Sequence, residues 1–154
     1  MDDVIIDTGR RAPAHLWIVG ILGLLWNAFG AFDYFMTRTK GAAWIDQMMP
    51  GVDGARYMAY IDSFPLWVSI AWGLGVWGGV LGVVLLLMRK AIAVPVLLVS
   101  FVGAVLGIGW QIANPVDIPE MSAGGNAVIP YVVIVIALAL WLYARAQAKR
   151  GLLA

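Results

Sequence analysis

The chain contains no cysteine. Disulfides, iron–sulfur clusters and thiolate zinc sites are therefore excluded. It has a single histidine, His15, so multi-histidine metal centres and bis-histidine haem ligation within one chain are excluded as well. Charge is also scarce. Only 12% of the 154 residues are Asp, Glu, Lys or Arg, about half the share of an ordinary soluble domain. The net charge of +1 gives no reason to expect nucleic-acid binding. What fills the chain instead is apolar: 62% of it is hydrophobic. That leaves too little polar surface to cover a core in water, a cover that lipid does not demand.

Four continuous apolar runs stand out, at about residues 15–36, 66–88, 91–113 and 128–144, the last continuing as a helix through Gln147. As helices, each run is long enough to cross a hydrocarbon core of about 30 Å. Membrane barrels show alternating rather than continuous apolar sequence, so strands are not expected. The expected fold is an all-α membrane protein, a four-helix bundle forming one domain over residues 1–154. The first run resembles a secretory signal in having Arg10 and Arg11 ahead of it and Ala28-Phe29-Gly30 within it. It stays apolar well past that point, so it reads as a retained span.

Lysine and arginine are unevenly distributed. One side of the bundle receives Arg10, Arg11, Arg89, Lys90, Arg145, Lys149 and Arg150, seven in all; the other receives Arg38, Lys40 and Arg56. The positive-inside rule places both termini in the cytoplasm and the loops 37–65 and 114–127 outside. The first outer loop carries apolar residues at helical spacing, at positions 57, 60, 61 and 64, and a second short apolar segment at 42–49. Pro50-Gly51 separates the two. Two short amphipathic helices on the outer membrane surface are expected, as a cap over the bundle, a lid over a site, or a docking surface.

Small residues recur along three spans: Gly20, Gly23 and Gly30 in the first; Gly75, Gly79 and Gly82 in the second; Ser100, Gly103 and Gly107 in the third. Such stripes let membrane helices approach closely. Mutual contact of these three spans is expected, with the fourth span peripheral. Self-association through one stripe, or docking into a larger membrane complex, is an alternative use. Membrane lipids are the other expected partner.

Polar groups within lipid are costly and often functional. They are few here, and with the aromatics they gather in the outer half. Asn27, Asp33, Trp72, Trp110, Gln111 and Asn114 form a candidate ligand-binding set around a shallow outward-facing cavity. Structural readings stand beside it: Asn27 as an interhelical hydrogen-bonding group, Asp33 paired with Arg38 or Lys40, and Trp110 as a membrane-interface anchor. No acidic residue lies deep in a span, which counts against a proton-coupled carrier. Neither a phosphate-binding loop nor a Ser–His–Asp set is present, so no catalytic residue is assigned and no enzyme activity is expected. Met36, Met48, Met49, Met58 and Met121 fall on the outer side. Thioethers suit Cu(I), but Met is also an adaptable apolar filler, and no M-x-x-M repeat favours copper. No metal or other cofactor is expected.

The segments LWNAFGAFDYFMT at 25–37, FPLWVSIAWGLGVWGGVLGVVLLL at 64–87 and RKAIAVPVLLVSF at 89–101 carry a resemblance to a family of small uncharacterised bacterial inner-membrane proteins. Some of those are labelled sugar transporters. The resemblance covers about two thirds of the chain and implies four helices in a bacterial inner membrane, with no site residues to carry over. On size, small-residue faces and the missing catalytic signatures, the expected function is a non-enzymatic accessory or homo-oligomeric membrane component. The alternative is a transporter or binding protein for a small polar or amphipathic molecule.

Overall fold

The computed structural model describes residues 12–154. Arg10 and Arg11, which enter the charge count, lie outside the described residues. Six α-helices follow in order: α1 Ala14–Lys40, α2 Ala42–Met48, α3 Gly54–Asp62, α4 Leu66–Leu87, α5 Ala93–Ala113 and α6 Gly124–Lys149, with a 3-10 turn at Pro119–Ser122. There is no strand among the described residues. Helices α1, α4, α5 and α6 are long and apolar enough to cross a membrane. The protein is an all-α membrane protein, a four-helix bundle with two short helices in its first loop.

Helix ends follow backbone chemistry rather than hydropathy. Pro13 and Pro65 precede α1 and α4 in extended conformation, where a missing N–H costs nothing. α1 runs four residues beyond its expected end, to Lys40, and stops at Gly41, whose φ of 57° suits glycine. Arg38 and Lys40 in its last turn complement the helix dipole. α6 likewise begins at Gly124, ahead of the apolar run, and continues to Lys149. At its C-terminal end α6 runs only two residues past the expected Gln147; at its start, residues 124–127 are small or polar, compatible with helix but outside the apolar run.

The four long helices pack in the order α1, α4, α5, α6, and α4 touches α6 only sparingly. The α4–α5 hairpin is the closest pair. A Cβ added at Gly103 would lie 2.6 Å from the Ala71 carbonyl oxygen and 2.8 Å from the Gly75 nitrogen, so the two backbones are in direct contact. Ser100 Oγ donates to the Gly75 carbonyl at 2.6 Å across the same seam. The stripe on α1 is used differently: Gly20 receives Leu87 of α4, Gly23 receives Leu140 of α6, and Gly30 has no neighbour within 4 Å.

Two apolar cores hold the bundle, one near each end. At the end carrying the termini, Leu16, Val83, Leu86, Leu97, Leu140 and Ala144 are buried together with Leu153. The C-terminal segment is docked there. Ala154 N donates to Arg89 O at 2.8 Å, and Ala91 N donates to Ala154 O at 2.9 Å. Arg89 supports the segment with a positive φ of 59° and an Nε–H bond to Leu152 O at 3.1 Å. At the opposite, loop end, Ile45, Ile61, Phe64, Val68 and Ile118 form the second core. The two short helices expected in the first loop are present as α2 and α3. Of the expected alternatives, the cap over the bundle is the one seen: Trp44, Ile45 and Ile61 are buried, and Ile45 and Ile61 belong to the loop-end core.

Candidate functional site

Between the two cores lies a cavity of about 590 Å³, within the size range of small-molecule sites. α4 and α5 form its back through Trp72, Gly75, Ser100, Gly103 and Gly107; α1 forms one wall through Asn27, Gly30 and Asp33; α6 forms the other through Pro130, Val133 and Ala137. Tyr57 and Tyr60 of α3, with Val116, Met121 and Ser122 of the second loop, roof it at the loop end. Near the terminal end α1 and α6 are drawn together by Leu140 seated on Gly23 and by the hydrogen bond of Tyr143 with His15 Nδ1. Farther up they diverge, and the lips of the gap carry the exposed side chains of Trp26 and Phe29 on α1 and Ile129 and Tyr131 on α6. The cavity therefore opens sideways, between two helices, at the depth of the apolar spans.

Of the six candidate residues, Asn27, Asp33, Trp72 and Gln111 line this one cavity. Trp110 and Asn114 do not. Trp110 packs against Phe64 and Tyr60 in the loop-end core, at ring-centroid distances of 5.1 and 6.1 Å. Asn114 is exposed at the end of α5, where its side chain donates to Trp110 O at 3.0 Å and its carbonyl accepts from Tyr60 OH at 2.7 Å. The amides of Asn27 and Gln111 each donate to the carbonyl four residues earlier, at 2.8 and 3.3 Å, which leaves both amide oxygens without a donor among the described residues. Asn27 Oδ1 also sits over Gly79, where a Cβ would clash with it.

Asp33 is not paired with Arg38 or Lys40. Its Oδ1 accepts the indole N–H of Trp44 at 2.8 Å, while Arg38 faces Asp62 at 4.0 Å. The turn at Gly41 folds α2 back along α1, and this brings the buried indole to the carboxylate. The extension of α1 to Lys40 also sets Asp33 two turns inside the helix. A smaller void of about 60 Å³, lined by Asp33, Thr37, Trp44, Tyr57 and Trp72, adjoins the carboxylate. Burial raises the Tyr57 phenol from 10.0 to about 12, and the nearby Tyr60 and Asp33 add to the rise. Tyr60 is raised by burial too. The Trp72 ring meets Tyr34 edge-on at 4.6 Å.

The contribution of α6 was missed in the sequence, where the fourth span reads as peripheral to the other three. Tyr131 and Pro130 are the departures from its aliphatic run that mark the cavity side. Pro130 has no N–H, so the Asn126 carbonyl lacks its partner four residues on, and both residues line the cavity. Three of the five outer-side methionines, Met49, Met58 and Met121, pack as filler against the loop-end core, while Met48 is exposed.

Fold and site together define a small polytopic α-helical membrane protein with a side-opening cavity. Comparison with protein-family models, curated proteins and solved structures finds no match, so the cavity is read from its own chemistry.

Proposed function

We propose that this protein binds a small amphipathic molecule that enters from the bilayer between α1 and α6. The observation that carries this reading is the side opening itself, an apolar-lipped gap leading to Asn27, Asp33, Trp72 and Gln111. Magnitudes support it. An apolar chain gains about 0.8 kcal/mol per methylene on leaving water, but almost nothing on moving from lipid to an apolar cavity. The buried polar groups then decide what is retained. The charge distribution favours a cytoplasmic location for both termini, and the family resemblance favours a bacterial inner membrane. Passage of the ligand across the membrane, as the sugar-transporter label implies, is a further step of the same reading. No reaction is assigned.

The accessory or homo-oligomeric reading draws on the small size, the small-residue faces and the missing catalytic signatures; a bare small-residue face would strengthen it. The faces of α4 and α5 are used within the chain: Gly75, Gly78, Gly79, Gly82, Gly103 and Gly107 all have intrachain neighbours within 4 Å of an added Cβ. Native mass spectrometry after gentle extraction tests the binding reading. A lipid-sized adduct is expected on the wild type and should be lost in Ala137→Trp, which fills the cavity from α6. A monomer free of adduct in both proteins would count against binding. A constant oligomer in both would favour the accessory reading instead.

A further inference from the structure

Among the described residues that line the cavity, Asp33 is the only Asp, Glu, Lys, Arg or His. The carboxylate is half-buried; among the described residues it has one indole N–H as its hydrogen-bond partner and no ion pair, Arg38 and Arg56 being paired with Asp62 and Asp117. Around it stand aromatic rings. Tyr57 and Trp72 line both the main cavity and the small void beside Asp33, and Tyr60 lines the main cavity. Aromatic side chains close to a carboxylate form the setting in which organic ammonium groups are held. A carboxylate in a poorly solvated site is itself stabilised by an opposite charge.

We infer that the occupant is a cationic amphiphile, its ammonium group set against Asp33 among Tyr57 and Trp72 and its apolar body lying between α1 and α6. This rests on the binding reading above and adds the sign of the head group. One feature of the roof acts the other way. The N-terminus of α6, at Gly124, carries a partial positive charge. That end is exposed to solvent, and its influence fades within the first turn, whereas Asp33 bears a full charge inside the cavity.

The test compares three probes sharing one dodecyl chain: dodecyltrimethylammonium, dodecanol and dodecyl sulfate. Each is titrated into the full-length protein in dodecyl maltoside and followed by tryptophan fluorescence. The ammonium probe should bind tightest to the wild type. In Asp33→Asn, which keeps an acceptor for Trp44, its affinity should fall about tenfold or more while that of dodecanol stays unchanged; Asp33→Glu should retain the preference. Equal binding of ammonium and alcohol, stronger binding of the sulfate, or indifference to Asp33→Asn overturns the cation assignment and leaves the binding reading intact. If none of the probes binds, both fail. Should Asp33→Asn not fold, the ranking of the three head groups on the wild type decides alone.

Discussion

The indole N–H of Trp44 donates to Oδ1 of Asp33 at 2.8 Å, across a sequence separation of eleven residues. This bond ties the first loop helix to the first membrane helix at the edge of the cavity. Trp44 is 7% exposed, and its ring also meets Phe32 edge-on at 5.5 Å. Trp44→Phe keeps most of the packing and removes the donor. The carboxylate is then left half-buried without a partner, which costs about 1–3 kcal/mol. Equilibrium unfolding in mixed micelles should show this loss. The same substitution should cost less in an Asp33→Asn background, where no charge is left unpaired. An equal cost in both backgrounds would refute the coupling.

Backbone contact between α4 and α5 makes glycine positions unequal. At Gly103 an added methyl meets Ala71 O and Gly75 N, neither of which can swing aside. Gly103→Ala should therefore separate the hairpin and destabilise the protein by about 1–3 kcal/mol. Gly109, on the same helix, has nothing within 4 Å. There the alanine should be neutral or stabilising by up to about 1 kcal/mol. Thermal unfolding of the two variants side by side checks the contrast, and similar melting temperatures would contradict it.

These glycines mark the division between what the sequence discloses and what it does not. Continuous apolar runs identify the four spans because lipid permits them, and the spacing of Gly75 with Gly79 and of Gly103 with Gly107 correctly signals close approach. Spacing carries no partner label, however. The α1 stripe meets Leu87 and Leu140 rather than α5, and it leaves Gly30 facing open space. Asn27, Asp33, Trp72 and Gln111 could be grouped because their depth in the bundle follows from their place in each span. The α6 wall could not, because Tyr131 has the composition of a membrane-interface residue. The bond from Trp44 to Asp33 depends on the reversal at Gly41, whose geometry no periodicity encodes.

The raised Tyr57 phenol makes stability depend on alkaline pH. In the unfolded chain it ionises near 10.0; in the folded protein it holds its proton to about 12. Between these values the folded state binds more protons than the unfolded one, so stability falls as pH rises. The contribution is fully present below pH 10 and is lost on rising through about 12. Tyr57→Phe, which cannot ionise, should flatten the pH dependence of unfolding over that window and remove a late step from the phenolate absorbance titration. An unchanged titration curve would show that Tyr57 is not the buried phenol.

The docked C-terminal segment gives a local test. Leu153 is 7% exposed within the terminal-end core, and the backbone bonds of Ala154 hold it to Arg89 and Ala91. Leu153→Asp places a charge in that core, and the segment should release rather than bury it. Hydrogen exchange at the Ala91 and Ala154 amides should then accelerate while exchange in the middle of α4 and α5 stays slow. Protection of Ala91 in the variant equal to that in the wild type would mean the segment does not hold this link.

The charge distribution predicts an orientation that can be measured directly. Arg89, Lys90, Arg145, Lys149 and Arg150 lie at the terminal end, and Arg38, Lys40 and Arg56 at the loop end. The bias toward the terminal end favours keeping that end in the cytoplasm. Because the chain has no cysteine, single cysteines report position without background. Ala123→Cys and Ala154→Cys are both at exposed sites and leave every charge in place. A membrane-impermeant maleimide applied to intact cells should label Ala123→Cys at once and Ala154→Cys only after lysis. The reverse pattern would invert the bundle. The gap between α1 and α6 would be unaffected, but Asp33 would then lie nearer the cytoplasmic surface, and the proposed entry of an amphiphile would be from the inner leaflet rather than the outer one.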